Sequence, residues 1–326
     1  ALDVQLQAEV AAIANGLRTP QEIARDAGAR GAGFVRGSTT TLMDREALDR
    51  YVDRPDPGSR GLLSFAKVAK AVVTVGARTV TRFVRKRDHG LHATIVEEIL
   101  REFYVAAVGG VIWSLMKKDT ADSFGPDPGV HGGTALLHDL RELVGAGPWP
   151  RLTLVGHSTG AVYICEFLKA ADAVWPAGVT CDVVFLAPAV TCELMAATLD
   201  NHRARIGRFR MFTMTDAKEL DDRLVPVVYP HSLLYFVSGV VEDGGDTPLV
   251  GMQRDYRTDR YGPDSYPDVA KVREYLEAAD GRTVWSVADD GPGRRSAAVK
   301  HADFDNEQQT LQSVRDFLAE GRGRRE

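Results

Sequence analysis

Residues 152–163 read LTLVGHSTGAVY. Leu152, Leu154 and Val155 make a short apolar run of strand type, and AVYICEFLKAA, from Ala161 onward, carries helical spacing. Between them lies Gly156-His157-Ser158-Thr159-Gly160. A serine between two glycines at such a junction either closes a tight turn or is lifted clear of a sheet edge to react. The residue types suit the second reading. Gly156 and Gly160 let backbone segments approach closely. The helix start aims N–H groups and a positive dipole end at the serine. The N–H of Thr159 is then placed to stabilise an oxyanion. His157, inside the turn, is expected to support packing.

A serine hydroxyl is a weak nucleophile without a histidine base, and the histidine needs a carboxylate to orient it. Both types occur downstream at predicted strand ends. RFRMFTMT is followed at once by Asp216, and RTVWSVAD leads through a Gly-Pro-Gly loop to His301, just before the last predicted helix. The expected order is Ser158, Asp216, His301. Asp216 is preferred because it lies nearest the strand end; Asp222 and Asp221, in DDRLVP, are the alternative acids.

The surrounding chain alternates. RLTLV, CDVVFLAP, RFRMFTMT and RTVWSVAD read as strands. AVYICEFLKAA, ELMAATLDNHRARI, SLLYFVSGVVE and NEQQTLQSVRDFLA read as the helices between and after them. This rhythm predicts an α/β fold with a mostly parallel sheet. An elbow serine, an acid after the next-but-one strand and a histidine before the last helix together resemble the α/β-hydrolase superfamily. HADFDNEQQTLQSV is similar to the histidine loop and terminal helix of its esterase- and lipase-like members, and DDRLVP is similar to their acid-then-Val-Pro loop. The resemblance covers roughly residues 134–326. It implies a serine hydrolase with Ser158 as nucleophile, His301 as base and Asp216 as orienting acid, and it requires no cofactor.

The first part departs from that pattern. Residues 1–130 read as a mostly helical leader or cap, and 131–326 as the catalytic core, which is the second half of such a sheet. Helical spacing runs through Leu6, Val10, Ile13 and Leu17, and Thr19-Pro20-Gln21-Glu22 is a helix start with a capping box. GARGAGFVRGSTTT and 53–61 are breaks, and 91–118 is helical. AVVTVG at 71–76 is the one strand-like run, and it is ambiguous. The alternative to a cap is that early strands come from a segment outside this chain or from a second subunit. His131-Gly132-Gly133 is similar to an esterase oxyanion motif, but only one helix fits between it and the elbow strand, so it reads as a loop before a helix. The second oxyanion donor is unassigned.

Composition narrows the rest. A formal net charge of -5 gives no case for nucleic acid. Three cysteines, Cys165, Cys181 and Cys192, sit in apolar surroundings, so a reducing, cytoplasmic setting is expected rather than a disulfide scaffold. No signal peptide is visible in ALDVQLQAEV, and no apolar run reaches a membrane span of about 18 residues. His89, His92, His131 and His138 do not form a convincing metal-ligand set. Between Arg60 and Arg87 there are eight basic residues and no acidic one, interleaved with apolar side chains. This segment reads first as packed structure with a solvated basic face, and second as a peripheral membrane contact. The expected function is hydrolysis of a hydrophobic or lipid-like carboxylic ester. The alternatives are an acyltransferase with the same residues and a non-catalytic binding or scaffold protein.

Overall fold

The computed structural model describes residues 65–103, 109–224 and 229–320. The predicted helices near Leu6 and Pro20 and the breaks at 28–41 and 53–61 lie outside them. The described residues form two compact units.

The first unit gathers the described residues up to Ser114 with those of Leu224–Pro230 and Phe236–Asp246. It contains helices α1 (Phe65–Val84) and α2 (Leu91–Phe103) and the start of α3 (Gly109–Asp122). The strand-like run 71–76 lies inside α1. Helical period overrides the β preference of valine: Val75, Thr79 and Arg82 share a buried face, while Val73, Val80 and Val84 are exposed. Val75 packs on Ile95 and Ile99 of α2. The helical stretch expected over 91–118 is α2 and α3, with 104–108 outside the described residues.

Some of the basic residues of the 60–87 segment turn inward. Arg82 reaches Glu97 at 2.7 Å and Glu98 at 3.2 Å, and Arg87 reaches Asp246 at 2.6 Å. The His89 ring lies between Glu97 and Asp246, 2.7 Å from each. The Tyr229 hydroxyl donates to Glu97 at 2.6 Å, and the Trp113 indole donates to Glu242 at 2.6 Å. Burial opposes charge on Glu97, but His89 and Arg82 outweigh it and hold the carboxyl below its usual range. Gly239 is required here, because a side chain would run into the Glu97 carboxylate.

The second unit holds the rest of α3 and α4 (Gly132–Val144), then β1 (Leu152–His157), α5 (Gly160–Val174), β2 (Cys181–Leu186), α6 (Cys192–His202), β3 (Ile206–Met214), α7 (Asp216–Asp221), α8 (Pro267–Glu277), β4 (Thr283–Ser286), β5 (Ala288–Asp289), β6 (Arg295–Ser296) and α9 (Gln308–Ala319). Strands β1 to β4 form a sheet in that order, with every pairing parallel. Strands β5 and β6 form an antiparallel pair. The expected strand RTVWSVAD is thus split between β4 and β5. SLLYFVSGVVE is one α-helical turn, Leu233–Phe236, followed by a π turn, Val237–Val241. Helix α8 has no counterpart in the sequence analysis; Pro267 begins it, where a missing N–H costs nothing.

The unbroken apolar run of β2 follows from burial on both faces. Val183 and Phe185 face a core built with Phe167, Met195 and Val272 from α5, α6 and α8. Val184 and Leu186 face the other side, with Phe212, Phe304, Val314 and Phe317. Cys165, Cys181 and Cys192 are buried and unbonded to one another. Among the described residues no strand precedes β1, which is an edge of the sheet. No described helix is long and apolar enough to cross a membrane.

Glu97→Ala is expected to cost about 3–5 kcal/mol, because it leaves Arg82 and His89 buried without their shared carboxylate. A denaturant midpoint equal to that of the parent protein contradicts the network as drawn.

Candidate active site

Parallel strands bring the loops after β1, β3 and β4 to one edge of the sheet, the edge where open α/β sheets bind ligands. The turn after β1 is the tightest of them. Ser158 has φ 54°, the left-handed region that a side chain rarely adopts, at a cost on the order of 1–2 kcal/mol. Its N–H donates to the Leu186 carbonyl at 2.9 Å, and its carbonyl accepts from Ala189 at 3.1 Å and Ala161 at 3.2 Å. The turn is therefore fixed to the loop after β2 and to α5 together. Gly156 is obligatory: a Cβ there would lie 2.7 Å from the Gly160 carbonyl group. Gly160 itself has open space where a Cβ would go, so only the first of the two glycines is needed for its own clearance.

Ser158 is half-buried. Among the described residues its hydroxyl makes no hydrogen bond, and the N–H of Thr159 donates to no backbone acceptor. Thr159 caps α5 with φ −63°, so its N–H belongs to the open first turn of that helix. Both groups face no competing partner, as a nucleophile and an oxyanion donor require.

The structure separates the candidate acids. Asp216 opens α7, and its carboxylate accepts the Tyr235 hydroxyl at 2.6 Å while its N–H donates to the Gln253 side chain at 3.0 Å. Asp221 is exposed. Asp222, just beyond α7, accepts the His301 backbone N–H at 2.9 Å. It is Asp222, not the preferred Asp216, that meets the histidine loop.

His301 is 6% exposed, and neither ring nitrogen has a hydrogen-bond partner among the described residues. Burial first, and the neighbouring His157 second, push its pKa down to about 3. The His157 and His301 rings lie 5.0 Å apart at 33°, so the histidine is next to the residue that precedes Ser158. No Ser158–His301 hydrogen bond is formed; in unliganded enzymes such bonds are often open and tighten with substrate. A buried imidazole with two empty nitrogens is a costly arrangement that structural histidines avoid.

His131 precedes Gly132, where α4 begins, so the HGG run is the loop-to-helix junction that its spacing suggests. Among the described residues no three His, Cys, Asp or Glu side chains are grouped to hold a metal ion. Two open grooves of about 830 Å³ exist elsewhere, and neither is lined by Ser158 or His301.

No protein-family model, curated protein or solved structure matches this chain. The chemistry is read from these residues alone.

Sequence reasoning passed over Glu219. It lies fully buried on α7, accepts from the Ser232 hydroxyl, and is pushed up to about 8 by burial, with Asp222, Asp216 and Asp255 adding to the effect. Its signal, one acidic residue among several, is indistinguishable in sequence from an exposed one.

These two groups tie stability to pH from opposite sides. The folded state keeps His301 neutral down to about 3, while the unfolded ring protonates near its ordinary 6.5, so stability falls as pH drops through that window. The folded state keeps Glu219 protonated up to about 8 against an ordinary 4.5, so stability falls as pH rises through that window. Glu219→Gln is expected to raise the denaturation midpoint at about pH 8 and to change it little at about pH 5. Equal midpoints for the two proteins at about pH 8 contradict a buried, protonated carboxyl.

Proposed function

We propose that this protein is a serine hydrolase of α/β-hydrolase type that cleaves a hydrophobic or lipid-like carboxylic ester, with Ser158 as nucleophile, His301 as base and Asp222 as orienting acid. The observation that carries this reading is the left-handed Ser158 at a strand-to-helix turn, one residue from the side chain on which a buried, unpartnered histidine rests. The order of strands supports it: the elbow follows β1, the acid loop follows β3 and the histidine loop follows β4. In this reading β1 to β4 are the second half of a hydrolase sheet.

As it stands, an imidazole at about 3 is a weak base. A carboxylate against Nδ1 raises its basicity and stabilises the imidazolium. Asp222 is already bonded to the main chain of His301, and this reading requires the His301 side chain to rotate so that Nδ1 meets that carboxylate and Nε2 meets the serine. The Ser158 proton then passes to Nε2 as Oγ bonds to the ester carbonyl carbon. The oxyanion rests on the Thr159 N–H and a second donor. Nε2 returns the proton to the leaving alkoxide, which departs as alcohol. Water then gives a proton to His301 and attacks the acyl-enzyme, releasing acid and free serine. Exposed Leu220 on α7, Val287 after β4 and Val299 after β6 suit an apolar substrate.

An acyltransferase uses the same residues with an alcohol in place of water, and product analysis with added alcohol separates the two. A non-catalytic binding protein is favoured by one observation, the absence of a Ser158–His301 bond. Labelling with a fluorophosphonate, alongside short- and long-chain nitrophenyl esters, tests both. Ser158→Ala and His301→Ala are expected to abolish labelling. Asp222→Asn is expected to slow it by about 10²–10⁴-fold, and Asp216→Asn by no more than a few-fold. A folded parent protein that neither labels nor turns over ester overturns the enzyme reading; an Asp216→Asn loss larger than that of Asp222→Asn overturns the acid assignment.

A further inference from the structure

The chemistry above gives no task to His157, yet this side chain touches the loop that carries the base. Its Nε2 lies 3.1 Å from the His301 carbonyl oxygen. Its Nδ1 lies 3.5 Å from the Asp305 carboxylate, four residues beyond His301. Its ring lies against that of His301 at 5.0 Å. On the opposite side of the same residue, Asp222 holds the His301 N–H at 2.9 Å. Both backbone polar groups of His301 are thus held by side chains, one from the loop after β3 and one from the serine turn itself.

A carbonyl oxygen only accepts, so the contact at Nε2 requires a hydrogen on that nitrogen. In the neutral ring Nδ1 then carries a lone pair, so it makes no hydrogen bond to the Asp305 carboxylate, which also only accepts. The direction of the ring is set by the Nε2 contact alone.

We propose that His157 is a positioning residue for ester cleavage, donating from Nε2 to the His301 carbonyl. This rests on the serine-hydrolase reading and extends it. Because His157 is adjacent to Ser158, the clamp ties the nucleophile's turn and the base's loop into one body. The His301 side chain then has only its own two rotations with which to reach Asp222 and Ser158. Misplacing the base by an ångström is enough to cost a large factor in rate, which is the scale on which a positioning residue acts. Asp222 and His157 therefore act on the same residue from two sides. The G-x-S-x-G segment contributes a positioning side chain as well as the nucleophile and an oxyanion donor.

Two variants and one spectrum test this. His157→Phe keeps a ring against His301 but removes the donor; His157→Gln restores an N–H near the place of Nε2. The Phe variant is expected to lower kcat for a nitrophenyl ester by about 10–100-fold with KM changed no more than about threefold, and the Gln variant to recover most of the loss. Phe and parent proteins of equal kcat overturn the proposal, as do Phe and Gln variants that are folded and equally impaired. Independently of turnover, long-range ¹H–¹⁵N spectra of the Ser158→Ala protein, taken where the ring is neutral, are expected to show His157 as the Nε2–H tautomer. An Nδ1–H tautomer overturns the clamp. A parent protein that cleaves no ester, with His157 still in the Nε2–H form, overturns the reading of the site while leaving the contact in place, so the two failures are distinguishable.

Discussion

Ser158 keeps a left-handed backbone because the chain around it leaves no other course. Gly156 lacks the atom that would strike the Gly160 carbonyl, and Leu186, Ala189 and Ala161 take up the polar groups of the turn. A conformation that costs on the order of 1–2 kcal/mol persists only when its surroundings determine it so fully. The same bonds tie the turn after the edge strand β1 to the end of β2 and the start of α5. Everything proposed for the site depends on this turn: the open hydroxyl, the helix start behind it, and the position of His157 relative to His301.

The histidine is placed by a different means. Its ring is buried and makes no hydrogen bond among the described residues, while its main chain is gripped by Asp222 and His157. Such an arrangement fixes the hinge and leaves the moving part free. Desolvation keeps the ring neutral, which is the form a base needs at the start of a reaction. The first unit is built on the opposite principle. There His89, Arg82 and Arg87 are saturated by Glu97, Glu98 and Asp246, and burial of charge is offset by pairing on every side.

How much of this was legible in the sequence depended on the range of the interactions concerned. The strands β1 to β3 and helices α5, α6 and α9 were readable from apolar runs and helical periods, because burial on one or both faces imprints directly on the pattern. The turn was readable because its glycines and serine fall within five consecutive residues. The contact between Asp222 and the histidine loop was not. Asp216 lies closest to the strand end, but α7 follows it, and beyond its far end Asp222 accepts the His301 N–H while Asp216 accepts the Tyr235 hydroxyl. No local signal records where this six-residue helix carries the chain. The valine run at 71–76 stayed ambiguous for the same reason, since a partner helix rather than local preference decides it. The pairing of His89 with Asp246 spans 157 positions and leaves no trace in either neighbourhood.

The most direct test of the account is a crystal structure of the protein after reaction with a phosphonate ester. The account predicts phosphorus bonded to Ser158 Oγ, a phosphoryl oxygen on the Thr159 N–H, and the His301 ring turned so that it lies between Ser158 and Asp222. An adduct on another residue contradicts it. So does an adduct on Ser158 beside a His301 ring that still has no partner, with Asp222 bonded only to the backbone.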